Sequence, residues 1–222
     1  MANLLIEYSN KHNIILDISN GSLCRAFDNN NIEMVILLLD YVNKNNIIIN
    51  IDIGYCYWIY TNKNDDIEII MLIFDYANNN NNIILDINGT YKNPLLQAIS
   101  RNDIKMINLL INYANKNNIV LDVNYRENYD DEEYPLYYAV YKNNVEIVKL
   151  LIDYANQHNI NLKVNLKPEK SDYLLVKASQ HNNLEMIKIL NEYAHNHNVL
   201  LKNDRYDLSY ETYHFLNDKA NI

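Results

Sequence analysis

A single phrase recurs along the chain, and this repetition restricts the fold more than any other feature. The phrase reads EIVKLLIDYANQHNINLKVN from Glu146, and a copy without the opening residues, NLLIEYSNKHNIILDIS, begins at Asn3. Further variants begin at Glu33, Glu68, Lys105 and Glu185. The period is marked by the tyrosine of each copy: Tyr8, Tyr41, Tyr76, Tyr113, Tyr154 and Tyr193. By subtraction these tyrosines are 33, 35, 37, 41 and 39 residues apart, and such periods are typical of stacked repeats.

Each complete copy is predicted to contain two helices. In the quoted phrase the apolar residues recur at intervals of three and four, which predicts an amphipathic helix. A shorter apolar segment, such as YPLYYAVYK from Tyr134, precedes it and predicts a first helix. The predicted breaks between the two helices are Asn29-Asn30, Asn64-Asp65, Arg101-Asn102, Lys142-Asn143 and Asn182-Asn183. Asparagine tolerates the left-handed backbone that such a stop requires, so each copy is predicted to be a helix hairpin.

The start of the first helix resembles the T-P-L-H-x-A motif of ankyrin repeats. The matching stretches are GSLCRA from Gly21, NPLLQA from Asn93, YPLYYA from Tyr134 and YLLVKA from Tyr173. The copy read as CYWIYT from Cys56 departs, because it puts Trp58 in the leucine position and Thr61 in the alanine position. The resemblance implies an all-α fold, an ankyrin-like solenoid of stacked helix-turn-helix repeats with short extended segments or variable fingers between units.

On this resemblance the whole chain, residues 1–222, is expected to be one array. Its predicted parts are a leading partial unit at 1–19, repeats at 20–53, 54–88, 89–124, 125–165 and 166–204, and a C-terminal cap at 205–222. Where ankyrin repeats end the second helix at glycine, this chain has Val42, Ala77, Ala114, Ala155 or Ala194. We therefore expect that helix to continue for one or two further turns. Alternating apolar residues follow it, as at Ile119, Leu121 and Val123, and predict a short extended segment.

The fingers between units account for the drift in period. They are predicted to be short near the N-terminus, with Asn20 alone in the first interval and residues 53–55 in the second, and longest at residues 125–133. In ankyrin repeats, fingers and inner helices often contact partner proteins. The resemblance therefore implies a non-catalytic protein–protein interaction scaffold, with its contacts toward the C-terminal half.

The candidate partner-binding residues lie on the longest finger and on the inner helices. The finger supplies Tyr125, Glu127, Tyr129, Asp130, Asp131, Glu132 and Glu133, and the inner helices supply Tyr138, Tyr141 and Lys177. The opening motif also has a variable position, held by Arg25, Tyr60, Gln97, Tyr138 and Lys177. Carboxylates flanked by tyrosines suit a basic segment of a partner, through charge complementarity and cation–π contact. A solvated acidic loop remains the alternative interpretation of the finger.

Composition limits the partners and the compartment. A net charge of −9 and a pI near 5.1 disfavour nucleic acid, whose phosphates bind clustered lysine and arginine. No apolar run is long enough for a membrane span, so we expect a soluble protein without membrane contacts. The sequence leaves the oligomeric state open, with a monomer as the expectation. Cys24 and Cys56 fall in different copies and form no CxxC motif, which predicts free thiols in a reducing, cytoplasmic environment.

The residues also bear on two other classes of function, a metal-binding or catalytic protein and a structural segment of a larger protein. His158, His195 and His197 recur near helix ends, but the sequence indicates no third or fourth ligand beside them, and three glycines leave little room for catalytic loops. We therefore expect no enzyme activity, no cofactor and no metal. The chain also begins within a unit, which leaves open a structural segment of a larger ankyrin-repeat protein. The repeated tyrosine itself is predicted to be structural.

Overall fold

Each copy of the repeated phrase folds as the longer helix of a pair, as its apolar spacing predicts. The longer helices are α1 (Ala2–His12), α3 (Ile32–Lys44), α5 (Glu68–Asn79), α7 (Ile104–Asn117), α9 (Val145–Gln157) and α11 (Leu184–Asn196). The shorter helices are α2 (Asn20–Asp28), α4 (Ile53–Thr61), α6 (Pro94–Ser100), α8 (Pro135–Tyr141) and α10 (Leu174–Gln180). Two strands, β1 (Ile49–Asp52) and β2 (Ile83–Asp86), pair in parallel.

The computed structural model describes residues 2–61, 67–89, 92–126, 134–164 and 174–199. They fall into two compact units, the first running to Gln97 and including Asn108–Leu121. The second unit contains Ala98–Ile107 and continues from Asp122. The prediction of one array with the boundaries given above remains a prediction.

The helix pairs stack within each unit. In the first unit α2 packs against its partner α3 and against the next short helix, α4, while α1 contacts α3. In the second unit α8 packs against α9 and α10, and α9 packs against α11. Short helices therefore contact short helices and long helices contact long ones, which is how a hairpin buries an apolar face that it cannot cover alone.

Asparagine and aspartate start the long helices. The side-chain oxygen of Asn144 accepts a hydrogen bond from the Ile147 amide at 3.1 Å, and Asn183 does the same for Met186 at 3.0 Å. Asn31 and Asp103 play this role at α3 and α7. These N-caps satisfy amides that have no partner within the helix. Asn183 therefore begins a helix, and the break predicted at Asn182-Asn183 is one residue late.

Asparagine also ends the helices, earlier than predicted. Helix α3 stops at Lys44, two residues past Val42, and α7 stops at Asn117, three past Ala114. The expected extension of one or two turns is therefore wrong. Asn46 follows with φ of 52°, and the Ile47 amide donates to the Val42 carbonyl at 2.9 Å. This is a Schellman stop with asparagine in the left-handed position.

The second copy is aligned differently from the prediction. Helix α4 begins one residue before Gly54, just as α2 begins one residue before Gly21. A Cβ at Gly54 would lie 1.6 Å from the Lys92 carbonyl oxygen, so glycine is required there. The opening motif is therefore GYCYWI, and residues 53–55 belong to the helix, not to a finger. The buried Cys56 occupies the leucine position, and Trp58, 38% exposed, occupies the variable position predicted for Tyr60.

The extended segments after the long helices bury alternate residues, as predicted. Leu121 and Val123 are buried while Val120 and Asp122 are exposed, so the chain turns one side toward the core. In the first unit β1 and β2 pair with Ile49 opposite Ile83. Each strand places its first and third residues in the core.

Candidate functional site

Three tyrosines and one lysine form a cluster on the short helices of the second unit. Tyr137 stacks on Tyr141 with ring centroids 6.1 Å apart and lies edge-on to Tyr138 at 6.3 Å. The spacing of four residues along α8 places the rings of Tyr137 and Tyr141 beside each other. Lys177, on α10, holds its ammonium 5.9 Å from the Tyr141 ring centroid. We call Tyr137, Tyr138, Tyr141 and Lys177 the aromatic ridge.

Solvent reaches the ridge unevenly. Tyr141 is 48% exposed, whereas Tyr138 and Lys177 are half-buried. A ring nitrogen of His181 lies 3.0 Å from the Tyr141 carbonyl oxygen, which ties the end of α8 to the region after α10. A partly desolvated cation over a tyrosine ring contributes about 0.5–2 kcal/mol. The ridge therefore presents apolar ring faces already ordered by their neighbours.

The structure brings part of the predicted binding set together. Tyr138, Tyr141 and Lys177 lie on the ridge. Tyr137 was not among the predicted residues; the sequence feature that could have indicated it is an aromatic residue at the fourth position of YPLYYA. Tyr125 is half-buried, and its amide donates to the Asp122 carbonyl at 3.2 Å. The remaining finger candidates, Glu127, Tyr129, Asp130, Asp131, Glu132 and Glu133, lie outside the described residues.

A second feature, missed by the sequence analysis, is a cavity in the first unit. It has a volume of about 530 Å³ and lies between α2 and α4. Its lining includes Arg25 and Trp58 from the variable positions. Tyr55 stacks against Trp58 at 6.1 Å. Reading the second copy two residues out of register hid this cavity, because it removed Trp58 from the inner surface.

In α3, α7 and α11 the repeated tyrosine is structural, as predicted. Tyr41, Tyr113 and Tyr193 are each at most 4% exposed. Their hydroxyls accept hydrogen bonds from backbone amides of the preceding copy: Leu16 at 2.9 Å, Leu85 at 3.3 Å and Leu162 at 2.7 Å. Burial raises the pKa of Tyr193, and the Leu162 hydrogen bond opposes that rise. Each of these three tyrosines therefore links its own copy to the preceding one by a hydrogen bond.

The histidines near the helix ends stack on these tyrosines. His158 lies 4.2 Å from the Tyr154 ring and His197 lies 4.0 Å from the Tyr193 ring. A ring nitrogen of His197 is 2.9 Å from the Tyr193 carbonyl oxygen, where Asn45 donates to Tyr41 in an earlier copy. In the described ranges no group of three or more His, Cys, Asp or Glu side chains is arranged to hold a metal ion. His158 and His197 are the C-cap residues of α9 and α11.

The first helix leaves an apolar face open. Leu4, Leu5 and Tyr8 are 68%, 55% and 57% exposed, whereas Tyr41, which corresponds to Tyr8 in the next copy, is buried. In a stack of repeats, such a face is covered where a further copy packs against it. Among the helices that the structure describes, none is long and apolar enough to cross a membrane.

Comparison with protein-family models gives a match in two overlapping regions of the chain. A family model described as ankyrin repeats, in three copies, matches residues 57–163 and 119–203. These two matches together cover more than half of the chain and include both helices of the aromatic ridge. No curated protein and no solved structure matches the sequence.

Proposed function

The chain belongs to the ankyrin repeat family, and from this premise we propose that it is a non-catalytic scaffold that binds a partner protein through the aromatic ridge. Ankyrin repeats are generally protein–protein interaction modules and are typically non-catalytic. The proposal assigns the contact to α8 and α10, assisted by the acidic finger at residues 125–133. It keeps the candidate residues of the sequence analysis and adds Tyr137.

The single observation that carries the proposal is that the exposed ring of Tyr141 is held in place by its neighbours. Tyrosine is enriched among the residues that dominate binding energy at interfaces. Tyr141 is 48% exposed, yet it is held by Tyr137 on one helix and Lys177 on the next. Little side-chain freedom is left to lose on binding, which lowers the entropic cost of contact.

The partner segment that best fits this surface is basic. The protein has a net charge of −9, and five of the finger residues, Glu127 and Asp130 to Glu133, are acidic. Arginine or lysine of a partner gains long-range attraction from these carboxylates and close contact with the tyrosine faces. Attraction of this kind acts mainly on the association rate and weakens as salt rises.

Affinity capture from the source cell tests the proposal, followed by direct binding of the captured protein. Tyr141→Ala removes the most exposed ring of the aromatic ridge and leaves the helix-forming backbone unchanged. We expect it to weaken binding about tenfold or more, the loss typical of an aromatic hot spot. Exchanging the five finger carboxylates for their amides should slow association and reduce its salt dependence.

Tyr8→Ala is the matched control, because Tyr8 is also an exposed tyrosine on a helix but lies outside the ridge. Circular dichroism must show that all variants are equally folded. Equal binding by the intact chain, Tyr141→Ala and the amide-substituted finger would reject the ridge and the finger. A loss caused instead by Arg25→Ala would move the contact to the cavity between α2 and α4.

A further inference from the structure

The two cysteines of the protein meet at the cavity in the first unit. Cys24 lies on α2 and Cys56 on α4, and these helices pack against each other. Both side chains line the cavity of about 530 Å³. Cys56 is fully buried, whereas Cys24 is half-buried. The two thiols belong to different copies of the repeat, and the packing of α2 against α4 brings both to one cavity.

We propose that Cys24 and Cys56 are a reversible oxidation site, which forms an intrachain disulfide when a peroxide enters the cavity. This site is independent of the proposed partner contact, which lies on α8 and α10. It agrees with a reducing environment, where disulfides are usually transient and respond to oxidants.

The surroundings of the two sulfurs give them different roles. A hydrogen bond from the Cys56 thiol lowers the pKa of Cys24, an effect that burial and the Asp52 carboxylate oppose. The pKa of Cys56 is raised by its hydrogen bond with Cys24 and by burial. Oxidants react with thiolates, and reactivity follows exposure. Cys24 is therefore the thiol that meets the oxidant, and Cys56 is the thiol that resolves the product.

The reaction balances with hydrogen peroxide as the sole oxidant. The Cys24 thiolate attacks one peroxide oxygen and the O–O bond breaks, which gives a sulfenic acid and, with one proton, a water molecule. The Cys56 sulfur then attacks the Cys24 sulfur, its proton leaves with the hydroxyl as a second water, and the S–S bond forms. Two thiols lose two electrons in all, and peroxide gains them.

The disulfide would join the first two complete helix pairs at their inner helices. Trp58 is the only tryptophan of the chain and lines the same cavity. Its fluorescence therefore reports on the state of the two sulfurs.

Intact mass spectrometry of the folded full-length chain treated with hydrogen peroxide tests the proposal. We expect the mass to fall by two hydrogen atoms, both free thiols to disappear, and Trp58 emission to change. Dithiothreitol should reverse all three, and proteolysis should yield one peptide pair linked through Cys24 and Cys56. Disulfide formation should also be faster in the folded chain than in urea, because folding holds the sulfurs together.

Two variants separate the roles of the sulfurs. In Cys56→Ala, Cys24 should gain oxygen and react with a sulfenic acid probe, and in Cys24→Ser the buried Cys56 should remain a thiol. Each variant must be as folded as the wild-type chain before the two are compared. The proposal is overturned if peroxide leaves both wild-type thiols intact, adds oxygen without loss of hydrogen, links separate chains, or acts no faster on the folded chain than in urea.

Discussion

Two helix pairs, the second, α4 with α5, and the last, α10 with α11, are copies of the same repeat. They differ in how the repeated tyrosine of the long helix contacts the preceding copy. In the last pair, Tyr193 is buried and accepts the Leu162 amide at 2.7 Å. In the second pair, Tyr76 is half-buried and donates instead to Asp40 at 2.6 Å. The amide that corresponds to Leu162 is that of Ile49, and it donates to the Asn82 carbonyl at 2.9 Å.

The segment after α5 contains one additional residue in the asparagine run at 78–82: Leu85 lies nine positions after Tyr76, whereas Leu162 lies eight after Tyr154. Helix α5 ends at Asn79, and the residue after it, Asn80, is extended, with φ of −136°. This end lacks the left-handed stop seen at Asn159 after α9. The chain then enters β2, which pairs with β1. A buried amide needs a hydrogen-bond acceptor. The acceptor is the Tyr193 hydroxyl for the Leu162 amide and the Asn82 carbonyl for the Ile49 amide.

The largest effect is expected where the second copy is most constrained. Gly54→Ala forces a Cβ against the Lys92 backbone, 1.6 Å from its carbonyl oxygen, and should lower the free energy of unfolding by roughly 2 kcal/mol or more. Gly21→Ala is the matched control, because its Cβ would meet nothing closer than 3.5 Å. It should be neutral or stabilising by up to about 1 kcal/mol. Urea unfolding measures both, and equal effects would contradict the register given to α4.

The next effect separates the two tyrosines. Tyr193→Phe leaves the buried Leu162 amide without its acceptor and should cost about 1–3 kcal/mol in urea unfolding. Tyr76→Phe removes only an exposed contact with Asp40 and should cost under about 0.5 kcal/mol. The comparison would fail if Tyr76→Phe were the more destabilising of the two.

A smaller effect distinguishes the helix ends. Asn159 has φ of 56°, so Asn159→Ala should cost about 1 kcal/mol, and Asn159→Gly should restore most of that stability. Asn80 is extended, and glycine at that position brings no such gain over alanine. Thermal unfolding of the four variants checks this; a benefit of glycine at both positions would mean that α5 ends in the same way as α9.

The smallest effect is a titration. Burial and the hydrogen bond to Asp40 raise the pKa of Tyr76 to about 12, so Asp40→Asn should lower this pKa while leaving it above 10, because burial remains. A raised pKa favours the protonated folded state, so any stability gained is complete below the ordinary pKa of about 10 and is lost as pH rises through about 12. NMR of isotope-labelled tyrosines measures the pKa of Tyr76 in both chains, and the Tyr76→Phe variant identifies its signal. An unchanged pKa in Asp40→Asn would rule out the contact.

Much of the fold was predictable because local chemistry repeats. The apolar spacing predicted the helix pairs, and the family match together with these pairs confirms the ankyrin-like, all-α fold class. The asparagines that end α3 and start α9 act through their own side chains and backbone, so their role can be read locally. The role of Tyr193 was foreseeable for the same reason, since its position extends the apolar face of α11.

The sequence-based predictions that were wrong or incomplete mostly concern features that depend on contacts between residues distant in sequence. Gly54 is fixed by the approach of Lys92, which no local pattern reports, and the misplaced motif hid Trp58. The length of the long helices was overestimated because a missing glycine was taken to extend them, although asparagine supplies the same stop. Cys24 and Cys56 become neighbours only when copies stack. The ridge could be predicted in part, since Tyr138 and Lys177 share the variable position, but Tyr137 joins it through ring stacking.

Hydrogen exchange of the full chain, with and without the captured partner, tests the binding surface most directly. If the aromatic ridge makes the contact, the partner slows exchange of amides in α8 and α10 and leaves those of α2 and α4 unchanged. The account is contradicted if protection is confined to α2 and α4, or if Tyr141→Ala leaves the protection of α8 and α10 as it is in the unaltered chain.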